Sequence, residues 1–144
     1  YHTQSKSTEK LAHYIYEGCL KENSVETHMQ LAAEADSSTL LSSNGIIFGT
    51  PENFGYMSGA LKDFFDRTFY QVEHKNINIP YCTFVSAGND GTGAVSSIER
   101  IASGYPLIKV AEPLIISGKQ VNSNKKRCID FGHGMAAGLA LGIY

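Results

Sequence analysis

Hydrophobic positions along this chain switch repeatedly between a helical and a strand period. Leu11, Ile15 and Cys19 recur at helical spacing, and Gly18 and Asn23 mark the end of that segment. A weakly apolar run from Val25 to Leu31 reads as a strand, and a short polar helix near Ala35 to Leu41 follows it. Gly45 to Gly49 is a compact apolar strand bounded by glycines, the form taken by strands covered on both faces. Ser58 to His74 sets Leu61, Phe64, Phe65, Thr68 and Val72 on one side of a helix. Tyr81 to Ala87 is the next strand, introduced by Pro80 and ended by Gly88. Val95, Ile98, Ile101 and Ala102 predict a further helix, stopped by Gly104 and Pro106. Leu107 to Ser117 reads as the last strand, and Pro113 within it, having no amide to donate, assigns it to a sheet edge. A helix from about Lys125 to Leu141, with Ala and Gly on its packing side, closes the chain.

Strands alternating with helices imply an α/β fold with a parallel sheet and right-handed crossovers. The 144 residues, 42% of them hydrophobic and 18% charged, suit one folded domain over residues 1–144 and exclude a disordered chain. Twelve basic residues against fourteen acidic ones leave a net charge of −2, which gives no footprint for nucleic acid. The one basic run, Lys125-Lys126-Arg127, reads as a solvated helix face. Cys19, Cys82 and Cys128 lie far apart, without metal-ligand spacing, and fall inside apolar patterns. They read as small buried residues of a reducing compartment, so the expected location is cytoplasmic and no metal is expected. No apolar run approaches the ~20 residues of a membrane span.

In parallel sheets of this kind, ligands bind outside the carboxyl ends of the strands. That directs attention to residues 1–8, 50–57 and 87–93, which are also polar and rich in glycine or hydroxyl groups. In the first, Thr3-Gln4-Ser5-Lys6-Ser7-Thr8 runs straight into a helix. Four hydroxyls, Lys6 and the free amides of a helix N-terminus suit a phosphate. The same residues suit plain helix capping, and both readings stand at this point. The glycines and Gly-Lys-Ser/Thr ending of a Walker loop are absent. In the second, Pro51 stiffens the strand exit, Gly55 permits an unusual turn, and Phe54, Tyr56 and Met57 offer apolar surface to a flat ring or to the core. In the third, Ser86-Ala87-Gly88-Asn89-Asp90-Gly91-Thr92-Gly93 allows close backbone approach and supplies donors.

Read together, these loops resemble a known family. Tyr1 to Ala12 is similar to the FMN-phosphate loop of flavodoxins, a hydroxyl-x-hydroxyl-x-x-Thr pattern before a helix. Gly49-Thr50-Pro51 with Phe54-Gly55 and Met57-Ser58-Gly59 resembles the Thr-Pro-x-x-Phe-Gly loop of the flavodoxin-like NAD(P)H:quinone oxidoreductases and NADPH-dependent FMN reductases. With Ser86-Ala87-Gly88 the match covers nearly the whole chain in order. The resemblance implies a flavodoxin-like three-layer sandwich, a sheet of order 2-1-3-4-5, and non-covalent FMN. It implies that Thr3, Gln4, Ser5, Lys6, Ser7 and Thr8 hold the phosphate, and that Thr50, Pro51, Glu52, Asn53, Phe54 and Gly55 line the isoalloxazine. Ser86, Ala87, Gly88, Asn89 and Gly91 would face its pyrimidine edge or ribityl chain. Lys6 stands where many relatives have glycine. The central first strand of that fold should precede Tyr1, so either it lies upstream or something else is expected to fill its place. The long segment of the tetrameric quinone reductases has no counterpart, and a homodimer is the larger assembly expected.

The resemblance also implies the chemistry: an NAD(P)H-dependent oxidoreductase that passes electrons through FMN to a quinone or similar small acceptor. The alternative is a flavodoxin-type single-electron carrier between partner proteins. The absence of tryptophan and the near-neutral charge favour the reductase, because carriers commonly cover the ring with aromatics on both faces and dock through acidic surfaces. Hydride transfer through a flavin needs no catalytic side chain, and none is assigned. A phospho-receiver domain is disfavoured because Phe48-Gly49-Thr50 ends its strand without a carboxylate. A dinucleotide-binding Rossmann unit is disfavoured because Ser96 stands at the third glycine position after Gly91-Thr92-Gly93. His133, Asp63 and Asp66 read as surface residues, and His2 as a neighbour of the phosphate without a catalytic role.

Overall fold

The computed structural model describes residues 1–75 and 77–144, and its elements follow the alternation of the hydrophobic pattern. Helix α1 spans Ser7–Cys19, α2 Ser37–Ser42, strand β1 Ile46–Pro51, α3 Gly59–Val72, β2 Ile79–Ala87 and α4 Thr92–Ala102. Strands β3 (Leu107–Lys109) and β4 (Leu114–Ser117), two single turns of 3₁₀ helix over Gly118–Gln120 and Asn122–Asn124, and α5 (Lys125–Ala140) complete the chain.

Strand β2 is buried at every position because it is covered on both faces. Its side chains alternate between two layers. Tyr81 joins Phe48, Leu61, Phe65 and Ile98 in a core under α2, α3 and α4, whereas Phe84 joins Leu11, Ile15, Leu114 and Cys128 under α1 and α5. The result is a three-layer α/β sandwich around a parallel sheet. Strand β1 runs beside one edge of β2, with Ile46 opposite Tyr81 and Pro51 opposite Ser86. Strands β3 and β4 share the other edge, Ile79 opposite Leu107 and Ala87 opposite Ser117, all parallel. Helices α1 and α5 approach so closely that a Cβ on Gly18 would lie 2.1 Å from the Ile129 carbonyl oxygen, and one on Gly132 2.0 Å from that of Ile15. Burial pushes the Cys19 thiol up to about 11, and pushes Cys82 and Cys128 upward too, so the three cysteines are inert packing residues.

Two predicted elements differ from what the structure shows. Val25 to Leu31 forms no strand. A strand needs a ladder, and beyond local turns the backbone partner of this weakly apolar run among the described residues is Tyr1, whose nitrogen donates to the Gln30 carbonyl (2.9 Å) and whose carbonyl accepts from the adjoining Ala32 amide (2.7 Å). Leu107 to Ser117 is two short strands instead of one: the Val110 amide still donates to the Tyr81 carbonyl (3.0 Å), residues 111–113 then leave the ladder, and Pro113 has no amide to donate. Its edge position holds, since among the described residues β3 and β4 pair with β2 alone.

The His2 amide donates to the Gly49 carbonyl (3.0 Å), so Tyr1 and His2 bridge β1 and the 30–32 segment. That is the place the order 2-1-3-4-5 gives its first strand, and β1-β2-β4 is in keeping with the last three. Behind this bridge lies a cavity of about 1180 Å³, lined among others by Ile15, Val25, Met29, Ile47, Phe48 and Leu61. It lies among α1, α5, β1 and residues 24–44 and shares no lining residue with 3–8, 50–57 or 86–93. No helix among the described residues is long and apolar enough to cross a membrane.

Candidate functional site

Helix α1 begins without a side-chain cap. Lys6, its first flanking residue, takes the left-handed conformation (φ 70°, ψ −4°), which turns the chain sharply into the helix. The amides of Ser7, Thr8 and Glu9 are the ones a helix leaves without internal acceptors, and no other acceptor reaches them among the described residues. Lys6 reaches Glu9 (Nζ to Oε2, 3.1 Å) and stays largely exposed. Just before this turn, the Thr3 hydroxyl and His2 Nδ1 are buried with no partner of their own. A buried polar atom without a partner is costly, so these two mark a place shaped for something polar. Burial lowers His2 below its usual range and favours the neutral imidazole.

The second loop is rigid because its own groups close it. The Thr50 hydroxyl accepts from the Ser58 amide (2.9 Å) and donates to the Pro51 carbonyl (2.9 Å), while the Met57 amide donates to the Ser97 hydroxyl (3.1 Å). At its tip, Asn53 and Tyr56 exchange two backbone hydrogen bonds (2.9 and 3.0 Å) around Phe54 and Gly55. Both central residues have positive φ, 52° at Phe54 and 68° at Gly55, the pattern of a type I′ turn. A phenylalanine there costs about 1 kcal/mol or more relative to an ordinary conformation. The turn holds its ring wholly in solvent (108% exposed).

The third loop is tied to the second by Glu52. Its carboxylate accepts from the amides of Gly91 (3.2 Å), Gly93 (3.1 Å) and Ala94 (3.4 Å), the start of α4, and its own amide donates to the Ser86 carbonyl (3.0 Å). Asp90 takes the one amide between, that of Thr92 (3.0 Å), and the Thr92 hydroxyl as well (2.8 Å). Gly93 is packed so tightly that a Cβ there would meet the Gly55 carbonyl oxygen at 2.1 Å.

The three predicted loops therefore meet at one end of the sheet. Asn53 Nδ2 approaches Gln4 Oε1 (3.5 Å), which links the first loop to the second. From the position of a Cβ on Gly118, Ser7 Oγ is 3.5 Å away and Ser86 Oγ 3.6 Å, which joins the first loop, the end of β2 and the turn after β4. Gln4, Ser5 and Lys6 are exposed, Thr3 and Ser7 half-buried and Thr8 buried in the helix. Thr50 and Glu52 lie at the site, but their side chains are engaged within the protein. Pro51 and Asn53 are half-buried, Gly88 and Asn89 are exposed, and Ala87 turns its methyl into the core. His2, Asp90 and Gly118 belong to the neighbourhood and carry no motif of their own. Position next to a motif was the available signal for His2 and Asp90, and Gly118 had none. His133, Asp63 and Asp66 are exposed, and the two aspartates pair with Arg67 and Lys62 on the surface of α3.

Against known proteins, residues 9–120 match the family described as NADPH-dependent FMN reductase. The chain belongs to that family. This member of the FMN reductase family is also 29% identical over 93 residues to a flavodoxin of Aquifex aeolicus, across 65% of this chain and 50% of that one. A shorter stretch of 43 residues, 30% of this chain and 21% of the relative, is 51% identical to an NAD(P)H dehydrogenase (quinone) of Acidithiobacillus ferrooxidans. The match thus spans half or less of these curated relatives. Among solved structures, a flavodoxin from the domain Archaea superposes with a TM-score of 0.81 at 16% identity, covering 97% of this chain and 95% of the other. A WrbA-like flavodoxin of Agrobacterium tumefaciens gives 0.77 at 16% identity, covering 98% and 94%. The family and these neighbours make the fold flavodoxin-like.

The residues at this end of the sheet fit FMN. A single phosphate matches the uncapped terminus of α1 with its unpartnered Thr3 hydroxyl and Lys6. A flat ring matches a wall of backbone and glycine with an aromatic at its rim.

Proposed function

We propose that this chain binds FMN, its phosphate at the start of α1 and its ring against residues 50–55 and 86–91, and works as an NAD(P)H-dependent oxidoreductase. Electrons from the nicotinamide pass through the flavin to a quinone or similar small acceptor. The observation that carries the FMN reading is the contrast between an α1 terminus with free amides and a buried, partnerless hydroxyl, and an α4 terminus with neither.

Bound FMN supplies the redox chemistry, accepting and releasing electrons singly or in pairs. The protein's part is positional. The amides of Ser7, Thr8 and Glu9, with the hydroxyls of Thr3, Ser5 and Ser7, hold the phosphate, and Lys6 adds a positive charge. The Thr50–Ser58 hydrogen bond and the Asn53–Tyr56 turn keep the backbone of the ring wall from moving, and a wall that does not reorganise lowers the cost of binding. The exposed Phe54 leaves room for a small substrate to reach the ring's rim. Residues 1–144 are expected to form one flavodoxin-like domain that works in the cytoplasm as a monomer or homodimer.

The similarity to the Aquifex flavodoxin favours a second reading, a single-electron carrier that meets partner proteins. Anaerobic titration of the FMN-loaded protein with NADPH and NADH, followed by visible absorbance, separates the two. Bleaching within the mixing time of a stopped-flow experiment identifies the reductase. A bound flavin that stays oxidised identifies the carrier, and failure to retain FMN overturns both.

A further inference from the structure

We propose that Glu52 is a built-in anion. Its carboxylate occupies the α4 terminus that would otherwise bind a second phosphate, and so positions the ring wall and leaves α1 as an open anion site at this end of the sheet. The part concerning the ring rests on the FMN reading; the part concerning anions does not.

The argument starts from the two helix termini. Each helix follows a residue in the same left-handed conformation, Lys6 (φ 70°, ψ −4°) before α1 and Gly91 (φ 75°, ψ −2°) before α4, and neither of those residues caps its helix with a side chain. Such a turn points successive amides into one concavity, a shape that binds anions. At α4 the concavity is filled. Glu52 receives the amides of Gly91, Gly93 and Ala94 in one carboxylate, on the scale of a bound phosphate oxygen pair, and Asp90 receives Thr92. The bonds from Glu52 cross 39 to 42 residues of sequence, so they join two loops rather than finish one. Gly93 lacks a side chain where Gly55 presses on it, and the carboxylate and this backbone contact hold the same seam from its two sides. A pyrophosphate of a nicotinamide dinucleotide therefore finds no helix terminus free at α4, and the donor must be held by its other groups.

The test is a titration of the protein, Glu52→Ala and Glu52→Gln with inorganic phosphate, followed by amide NMR, with FMN affinity and melting temperature measured in parallel. In the unsubstituted protein, phosphate should move Ser7, Thr8 and Glu9 and leave Gly91, Gly93 and Ala94 unmoved. In Glu52→Ala a second binding event should appear at those three α4 amides, while affinity at α1 stays within about twofold. FMN affinity should fall at least about tenfold, and added acetate should restore part of it along with the melting temperature. Glu52→Gln should lie between, since its amide oxygen accepts but its NH₂ faces donors. A carboxylate that merely stabilised the fold would lower the melting temperature without creating a second phosphate site. That result, or phosphate moving the α4 amides of the unsubstituted protein, overturns the proposal. If Glu52→Ala does not fold, the second site in Glu52→Gln and the exchange protection of Gly91 and Gly93 decide the matter. Should the unsubstituted protein refuse FMN yet bind phosphate at α1 alone, the FMN reading falls and the built-in anion stands.

Discussion

Helices α1 and α4 start at the same end of the sheet from nearly the same backbone turn, yet the two starts are finished in opposite ways. At α4 every leading amide from Gly91 to Ala94 ends on a carboxylate of the protein. At α1 the amides of Ser7 to Glu9 are left open, a lysine replaces the glycine at the turn, and buried polar atoms wait beside it without partners. The difference teaches which half of the site is scaffold and which is receptor. A satisfied terminus contributes stiffness, whereas an unsatisfied one carries a cost in the free protein that an arriving anion can recover.

The sharpest way to break this comparison is to force the scaffold side open. Gly93→Ala would drive a Cβ against the Gly55 carbonyl, a backbone atom that has no flexible end to move aside. Overpacking of this kind costs about 1–3 kcal/mol, and the melting temperature should fall by roughly 5 °C. FMN retention should be lost with it, while phosphate binding at α1 survives. Thermal unfolding with fluorescence titration of FMN measures both. Loss of phosphate binding in step with the flavin would mean that the two loops are one unit and that the contrast drawn here is false.

The contrast was only half visible in the chain. The α1 side could be read because its information is local: Thr3, Ser5, Ser7 and Thr8 sit together directly before an amphipathic helix. The scaffold side could not, because Glu52 reaches amides some forty residues away, and an acidic residue in a loop has no periodicity to reveal its target. Strand β2 was legible from its continuous apolar run, and Phe64 and Phe65 from the helical stripe of α3. The Val25 to Leu31 strand was misread for a physical reason: β propensity describes a residue's fit to a partnered sheet, and among the described residues that run has no ladder, its one backbone bond beyond local turns being to Tyr1. The single strand across Pro113 was misread because the edge position was inferred from the proline while its break in the ladder was not.

A middle-sized effect sharpens the receptor side. Lys6→Gly relieves a left-handed non-glycine residue and makes the α1 turn the equal of Gly91. Stability should hold or rise by up to about 1 kcal/mol, while inorganic phosphate and FMN bind several-fold more weakly at low salt, a difference that shrinks as salt screens the lost charge. Equal affinity at all ionic strengths would show that the backbone, and not the lysine, carries the anion site. Smaller again is the change expected at the rim of the wall. Phe54→Asn suits the type I′ turn that Asn53 and Tyr56 already close, and should stabilise the fold by about 0.5–1 kcal/mol. If the ring of Phe54 packs on flavin or acceptor, affinity or turnover falls even as the melting temperature rises, and opposite signs in those two readouts are the diagnostic.

The smallest effect is also the most selective, because it separates the two termini by charge alone. The Thr92 amide and hydroxyl both donate to Asp90, and the backbone bond first, then the side-chain bond, hold its carboxyl below the ordinary value of 3.8. A carboxyl whose folded value is depressed contributes stability that is complete above 3.8 and is lost as pH falls through the lower folded value. The leading amides of α1 rest on no carboxylate, so nothing comparable should happen there. Followed by NMR between pH 6 and 3, the Thr92 amide should shift only toward the acid end and exchange faster there, with Ser7 and Thr8 flat across that acid step once Glu9→Gln removes the carboxylate of their own turn. Asp90→Asn should abolish the Thr92 step, because an amide oxygen accepts the same bond without a proton to gain. Were Ser7 and Thr8 to titrate alongside Thr92 even in Glu9→Gln, which removes the one carboxylate of the first turn of α1, another carboxylate would have to reach the α1 terminus in solution, and the open receptor on which the phosphate assignment depends would be closed.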